Sequence, residues 1–193
     1  DLHSFPTRRS SDLEPDGTDG NVKIAIDAVQ AASHPHHFLA VTKQGRSAIA
    51  ATAGNADCHV ILRGGKAPNY DAASVDAVCK QLGAASLMPR VMVDVSHGNS
   101  SKRPENQPVV IADIARQIEV GEQRIAGVMV ESHLKAGRQD LVAGRPLLYG
   151  QSITDGCIDW EMSVQVLEQL AGAVQRRRVR CGVSADANAD AVA

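Results

Sequence analysis

Three short apolar runs, each leading into a charged or ionisable side chain, constrain the fold of this chain more than any other feature. The runs and the residues that follow them are 58–62 with Arg63, 91–95 with His97, and 125–130 with Glu131. Buried parallel strands have near-continuous apolar sequences, and chemistry in α/β proteins collects just past the carboxyl ends of such strands. The pattern therefore predicts parallel strands that deliver these three side chains to one edge of a sheet.

Helical periodicity on both sides of these runs predicts a strand–helix alternation, which is the signature of an α/β fold with a parallel sheet. The predicted helices span about 20–33, 72–85, 108–120 and 159–175. In the last helix the predicted inward stripe is Trp160, Val164, Leu167, Leu170 and Val174. The helix pattern and the three runs together favour successive βα units.

Two segments depart from this alternation. Residues 38–42 and 47–52 flank a turn at Gly45 and predict an inserted β-hairpin. Residues 133–155 form a long glycine-containing connection, and connections of this length in compact domains are usually functional or disordered. We expect this connection to contribute to the site through Asp155.

The two ends of the chain differ in pattern from the middle. Residues 1–16 show neither helical nor strand periodicity, and we interpret them as a non-native, adapter-like, disordered leader. Residues 178–193 are expected to be a disordered tail, which leaves a domain over 17–177.

Composition excludes several classes of protein. The net charge of −2 provides no basic excess, so we expect no nucleic-acid partner. No apolar run reaches the roughly 18 residues of a membrane helix, so we expect no membrane association. The 4 cysteines form no CxxC pair, which favours a reducing, cytoplasmic setting over a disulfide scaffold.

One imidazole and two carboxylates make a candidate metal site at the predicted strand ends. His97, Glu131 and Asp155 offer nitrogen and oxygen donors that suit Mn²⁺, Fe²⁺, Co²⁺ or Zn²⁺. Arg63, next to two glycines, offers a planar fork suited to a carboxylate or phosphate. Spacing alone leaves a second interpretation open, in which these are unrelated polar residues at the edge of a sheet.

Five segments, in order along the chain, carry a resemblance to a known family. They are 17–20, 59–70, 94–102, 127–134 and 149–155. In these segments the chain closely resembles the metal-dependent, class I microbial-type 3-deoxy-D-arabino-heptulosonate-7-phosphate (DAHP) synthases. The resemblance runs from Gly17 to about Arg177.

The resemblance implies an enzyme with a (β/α)₈ TIM barrel, of which this chain would be the C-terminal half with an inserted β-hairpin. Such enzymes condense phosphoenolpyruvate with erythrose 4-phosphate, the first step of the shikimate pathway. It implies His97, Glu131 and Asp155 as metal ligands, and Arg63 as the phosphoenolpyruvate-binding residue. His97 and Arg63 would therefore be catalytic. Homo-oligomers are expected for the full-length enzyme.

The chain also departs from the family pattern. None of Cys58, Cys79, Cys157 and Cys181 aligns with the cysteine that completes the family's metal site. The family's Lys-Pro-Arg-Thr segment for erythrose 4-phosphate is absent, and a lysine expected from the family falls at Pro15. We therefore expect a C-terminal fragment that is inactive alone. Two alternatives remain, a 3-deoxy-D-manno-octulosonate-8-phosphate synthase-like enzyme and an inactive, metal-binding partial barrel.

Overall fold

A computed structural model describes residues 22–182, so the predicted leader and most of the predicted tail lie outside the described residues. The helices are α1 (Val22–Ala32), α2 (Ala72–Ala84), α3 (Gln107–Glu119) and α4 (Trp160–Arg180). The strands are β1 (His37–Val41), β2 (Ser47–Ala51), β3 (Val60–Leu62), β4 (Val91–Asp94), β5 (Ile125–Met129), β6 (Lys135–Arg138) and β7 (Gln151–Ser152). A 3₁₀ turn at Pro104–Asn106 leads into α3.

The three apolar runs form a parallel sheet in the order β3-β4-β5, as the sequence predicts. Val60 pairs with Val91, and Val91 pairs in turn with Ile125. All three of these valine and isoleucine side chains are buried, in keeping with the near-continuous apolar sequence of the strands. Because the strands run in the same direction, their carboxyl ends lie at one edge of the sheet.

Helices cover this sheet and supply most of the core. α2 begins where the Asp71 side chain accepts hydrogen bonds from the amides of Ala73 and Ser74, which are donors that a helix start leaves unpaired. α3 buries Val110, Ile111 and Ile114. The core combines side chains from α1, α2, α3, α4 and the parallel sheet, and described residues thus form a mixed α/β structure.

The predicted β-hairpin is confirmed. β1 pairs with β2 in antiparallel register, from His37 opposite Ala51 to Val41 opposite Ser47. Gly45 lies in the turn with a positive φ of 76°, a conformation that glycine adopts without strain. The hairpin stands apart from the parallel sheet and leaves Leu39 and Ile49 exposed.

Two elements inside the 133–155 connection were not predicted. β6 and β7 pair in parallel, from Lys135 opposite Gln151 to Arg138 opposite Ser152. The pairing is irregular and β7 has two residues, which is too short for a periodic sequence signal. The pairing holds the two ends of the connection together near Asp155.

Helix α4 differs from the prediction in length and in orientation. It continues to Arg180, beyond the helix end expected at 175 and into the segment expected to be a tail. The predicted inward stripe is wrong in part, because Trp160 is 62% exposed and Leu167 is 60% exposed. The face that packs inward is instead Ser163, Val166, Leu170 and Ala173.

None of the helices in residues 22–182 is long and apolar enough to cross a membrane.

Candidate metal and anion site

The carboxyl edge of the parallel sheet brings together the three predicted metal ligands. Nε2 of His97 lies 3.2 Å from Oε1 of Glu131 and 3.9 Å from Oδ2 of Asp155. One donor atom from each of the three side chains lies within 4.8 Å of the others. Two donors that each lie about 2.1 Å from one metal can be at most about 4.2 Å apart. The three side chains therefore fit a divalent metal after a small contraction.

The His97 side chain is oriented by the end of β4. The Ser96 amide donates to Oδ1 of Asp94 at 2.8 Å, which turns the chain directly after the strand. His97 follows with a positive φ of 43°, a conformation that non-glycine residues adopt rarely and that clusters at functional sites. Its Nδ1 lies 2.7 Å from Oδ2 of Asp94, so the ring is held by a buried carboxylate.

Glu131 is positioned through its backbone. The fully buried Gln107 side chain, at the start of α3, accepts from the Glu131 amide and donates to the Glu131 carbonyl, both at 3.0 Å. The Ile158 amide also donates to that carbonyl at 3.0 Å. Because both backbone groups of Glu131 are bound, its side chain starts from a fixed point at the end of β5.

Burial and neighbouring carboxylates dominate the electrostatic surroundings of Glu131. Burial raises the pKa of the Glu131 carboxyl. Protonation of His97 would oppose that rise in pKa, as the charge of Arg63 does, while the nearby carboxylates of Asp155 and Asp94 add to it. A bound cation would relieve this crowding of carboxylates.

Arg63 reaches the same site from β3. Its Nε lies 3.5 Å from Oδ2 of Asp94, the oxygen that also faces His97. This separation between Nε and Oδ2 is that of an ion pair. The pair is shielded from solvent on the Asp94 side, because the Asp94 side chain is only 1% exposed. The predicted anion-binding residue and the predicted metal ligand therefore lie beside one buried carboxylate.

Two loops at this edge interlock through backbone and amide contacts. The Asn99 side chain donates to the carbonyls of Leu62 and Asp94, at 3.0 and 2.7 Å, and so joins the ends of β3 and β4. Its Oδ1 accepts from the Asn69 amide at 2.8 Å. These bonds hold the loop after Arg63 against the loop that carries His97.

Three residues with positioning roles were missed by the sequence analysis: Asp94, Asn99 and Gln107. A signal for Asp94 existed, because a carboxylate inside an apolar strand needs partners when buried. Gln107 and Asn99 carried no such signal, since their partners are backbone groups brought near only by the fold.

No cysteine belongs to the three-residue cluster in residues 22–182. Cys157 is close to Asp155 in sequence, but its thiol donates to the Asp155 carbonyl, with Sγ 3.6 Å from that oxygen. Burial raises the pKa of this thiol, which favours the neutral form over the thiolate that binds metals.

Comparison with known proteins identifies the family. The sequence model described as the DAHP synthetase I family matches residues 16–168. The chain belongs to this family. It is 57% identical over 162 residues to the Phe-sensitive phospho-2-dehydro-3-deoxyheptonate aldolase of Escherichia coli K12, covering 84% of this chain and 46% of that protein. It is 55% identical over 168 residues to the tyrosine-inhibited enzyme of Schizosaccharomyces pombe, covering 84% and 45%.

A solved structure of a family member has a similar fold. The phospho-2-dehydro-3-deoxyheptonate aldolase of Francisella tularensis SCHU S4 superposes with a TM-score of 0.78 at 51% identity, over 83% of this chain and 47% of that one. The chain spans about half the length of the curated relatives that it matches. The family assignment predicted from the five sequence segments is confirmed.

Proposed function

We propose that this chain forms part of a DAHP synthase, which condenses phosphoenolpyruvate with erythrose 4-phosphate and water to give DAHP and phosphate. The observation that carries the proposal is the convergence of His97, Glu131, Asp155 and Arg63 at one sheet edge, in a chain of this family. A carbon–carbon bond forms between the phosphoenolpyruvate methylene carbon and the aldehyde carbon. Water adds to the former enol carbon, and the bond from that carbon to the phosphate oxygen breaks.

His97, Glu131 and Asp155 are the residues that would hold the divalent metal, which we take to be Mn²⁺, Fe²⁺, Co²⁺ or Zn²⁺. The donor chemistry supports this range without selecting one member, because imidazole and carboxylate suit all four. When bound, the metal would supply a Lewis acid for the aldehyde of erythrose 4-phosphate. Asp155 is 65% exposed, so of the three side chains it has the most room to move toward a metal.

Arg63 would bind the phosphoenolpyruvate anion. Its guanidinium offers a fork that matches carboxylate or phosphate oxygens, and its Nε faces Asp94 rather than solvent. The ion pair with Asp94 holds the guanidinium at one point whether or not substrate is bound. A substrate anion would therefore meet an arginine already held near the metal site.

The parallel sheet and its helices support a further proposal, that residues 17–177 are part of a (β/α)₈ barrel. For the full-length enzyme we propose a homo-oligomer.

A chimera with the E. coli relative tests the function. Residues 16–168 of this chain would replace the matching segment of the Phe-sensitive enzyme, with which the chain shares 57% identity. We expect metal-dependent consumption of phosphoenolpyruvate with erythrose 4-phosphate, and loss of it in the same chimera carrying His97→Gln or Arg63→Gln. Circular dichroism of each variant separates lost chemistry from lost folding.

The same assay distinguishes the alternatives. Turnover with arabinose 5-phosphate in preference to erythrose 4-phosphate would favour the octulosonate enzyme. A folded chimera that binds Mn²⁺ and consumes neither sugar phosphate would favour an inactive, metal-binding chain.

A further inference from the structure

Asp94 is a fully buried carboxylate whose two oxygens have separate partners. Oδ1 accepts from the Ser96 amide at 2.8 Å and from the Ser96 hydroxyl at 2.5 Å. Oδ2 faces Nδ1 of His97 at 2.7 Å and Nε of Arg63 at 3.5 Å. A carboxylate buried to this extent is costly unless its oxygens are occupied, and here both are.

The hydrogens available in this group determine which His97 nitrogen carries a proton. The carboxylate of Asp94 has none to donate, and the Ser96 hydroxyl has one, which points to Oδ1 of Asp94. Nδ1 of His97 is 2.7 Å from Oδ2 of Asp94 and also 2.7 Å from the Ser96 hydroxyl oxygen. Both neighbours are then acceptors, so the proton between them belongs to Nδ1.

This tautomer leaves the lone pair on Nε2. Nε2 is the nitrogen that faces Glu131, at 3.2 Å, and Asp155, at 3.9 Å. A neutral imidazole binds a metal through the nitrogen that has no proton, and a partner on the other nitrogen fixes that choice. The contacts of Asp94 therefore direct the lone pair of His97 toward the other two ligands.

We propose that Asp94 is a positioning residue that fixes the Nδ1–H tautomer and ring orientation of His97 for metal binding, and holds Arg63 beside it through the same oxygen. The inference rests on the proposed function, because it takes the three-residue cluster to be the metal site. Asp94 acts through His97 and Arg63, because both of its oxygens are already bound by groups of the protein.

The substitution Asp94→Asn tests this role because it keeps the acceptor for the Ser96 amide and replaces the acceptor for Nδ1 of His97 by a donor. The Ser96 amide requires an acceptor at the position of Oδ1, so the side-chain amide must place its oxygen there. Its NH₂ group then takes the position of Oδ2 and donates to Nδ1 of His97. The ring of His97 must then move its proton to Nε2, the nitrogen at which the metal should bind. The same NH₂ group also faces Nε of Arg63, so that two donors oppose each other there.

The experiment uses the whole 193-residue chain, labelled with ¹⁵N-histidine, during titration with Zn²⁺. Long-range ¹H–¹⁵N spectra identify which ring nitrogen is protonated and which binds metal, and His97→Gln assigns the resonance. In the natural chain we expect zinc on Nε2 and the proton on Nδ1. In Asp94→Asn we expect zinc affinity to fall about 10–100-fold.

Two further variants serve as controls. Asp76→Asn removes an equal charge from the ion pair with Arg124, which precedes β5 at the opposite end of the sheet, and should leave zinc affinity unchanged. Ser96→Ala keeps the Asp94 carboxylate and should keep the Nδ1–H tautomer.

The outcomes separate this inference from the proposed function. Zinc bound through Nδ1 of His97, or equal zinc affinity in a folded Asp94→Asn chain, overturns the role of Asp94 while the metal site stands. Zinc that leaves both nitrogens of His97 unshifted overturns both. Should Asp94→Asn fail to fold, the spectrum of the natural chain before zinc is added decides the matter, since the protein alone then sets the tautomer and a lone proton on Nε2 overturns the role of Asp94.

Discussion

Gly98 determines how closely the loop of Arg63 approaches the loop of His97. A Cβ atom at Gly98 would lie 2.8 Å from the carbonyl carbon of Gly64 and 3.0 Å from its Cα, both backbone atoms. Gly98→Ala therefore forces the two loops apart, and overpacking of this kind costs about 1–3 kcal/mol. We expect a lower free energy of unfolding by urea titration and weaker binding of phosphate-bearing ligands at Arg63.

Gly83→Ala is the matched control for that substitution. Gly83 lies in α2, and nothing is within 4 Å of an added Cβ. Because alanine favours the helix over glycine by up to about 1 kcal/mol, this variant should be at least as stable as the natural chain. Equal stability of the two alanine variants would contradict the close packing of the two loops.

Among the elements, the start of β5 is joined to α2 and α4 by a cluster of ion pairs and hydrogen bonds around Arg124 and Glu122. Arg124 binds Glu122 at 2.7 Å and Asp76 at 2.9 Å, and Arg177 donates to the Glu122 carbonyl at 2.7 Å. The hydrogen bond from Arg124 is the main cause that lowers the pKa of the Glu122 carboxyl, with burial opposing it. The ionised form of Glu122 is therefore the one that stabilises the fold.

This lowered pKa predicts how stability depends on pH. A carboxyl whose pKa is lowered in the folded state stabilises the fold fully at pH values above its pKa in the unfolded chain, near 4.3. That stabilisation is lost as the pH falls through the pKa of the carboxyl in the folded state. Glu122→Gln should therefore be less stable than the natural chain at pH 7, by on the order of 1 kcal/mol, with the gap closing as the pH falls below the unfolded pKa. Urea titrations at several pH values measure the gap.

Glu105→Gln provides a comparison on the surface. Glu105 pairs with Arg103 at 2.8 Å, and both side chains are exposed, so this change should alter stability little at any pH. A gap for Glu122→Gln that stays constant with pH would show that the contribution is packing rather than charge.

At the scale of elements, sequence periodicity predicted the existence of helices better than their orientation. α4 carries two apolar stripes, one with Trp160 and Leu167 and another with Val166 and Leu170, and periodicity alone does not choose between them. The choice depends on α3, against which α4 packs. β6 and β7 were missed for a related reason, because their pairing comes from the fold and not from a local pattern.

For the whole molecule, the three strands of the parallel sheet and the places of His97 and Glu131 at their ends could be predicted because the apolar runs and the residue types after them are local. Asp155 follows no such run, and its proposed role came from the resemblance to the family. The order β3-β4-β5 follows the order of the runs, so strand ends that are neighbours in sequence are neighbours in space. What could not be predicted is how one Asp94 oxygen serves both Arg63 and His97, since that requires the distance between two strands.

Metal binding should stabilise the whole fold. A ligand that binds only the folded state at 100 times its Kd adds about 2.7 kcal/mol, which for a chain of this size raises Tm by roughly 5–10 °C. We expect such a shift with Mn²⁺ or Zn²⁺ by differential scanning calorimetry, and its loss in Glu131→Gln.

Without metal, Glu131→Gln should melt no lower than the natural chain, because Glu131 is partly buried near the carboxylates of Asp155 and Asp94. Glu105→Gln should keep the full shift, and an equal shift in Glu131→Gln would place the metal elsewhere on the chain.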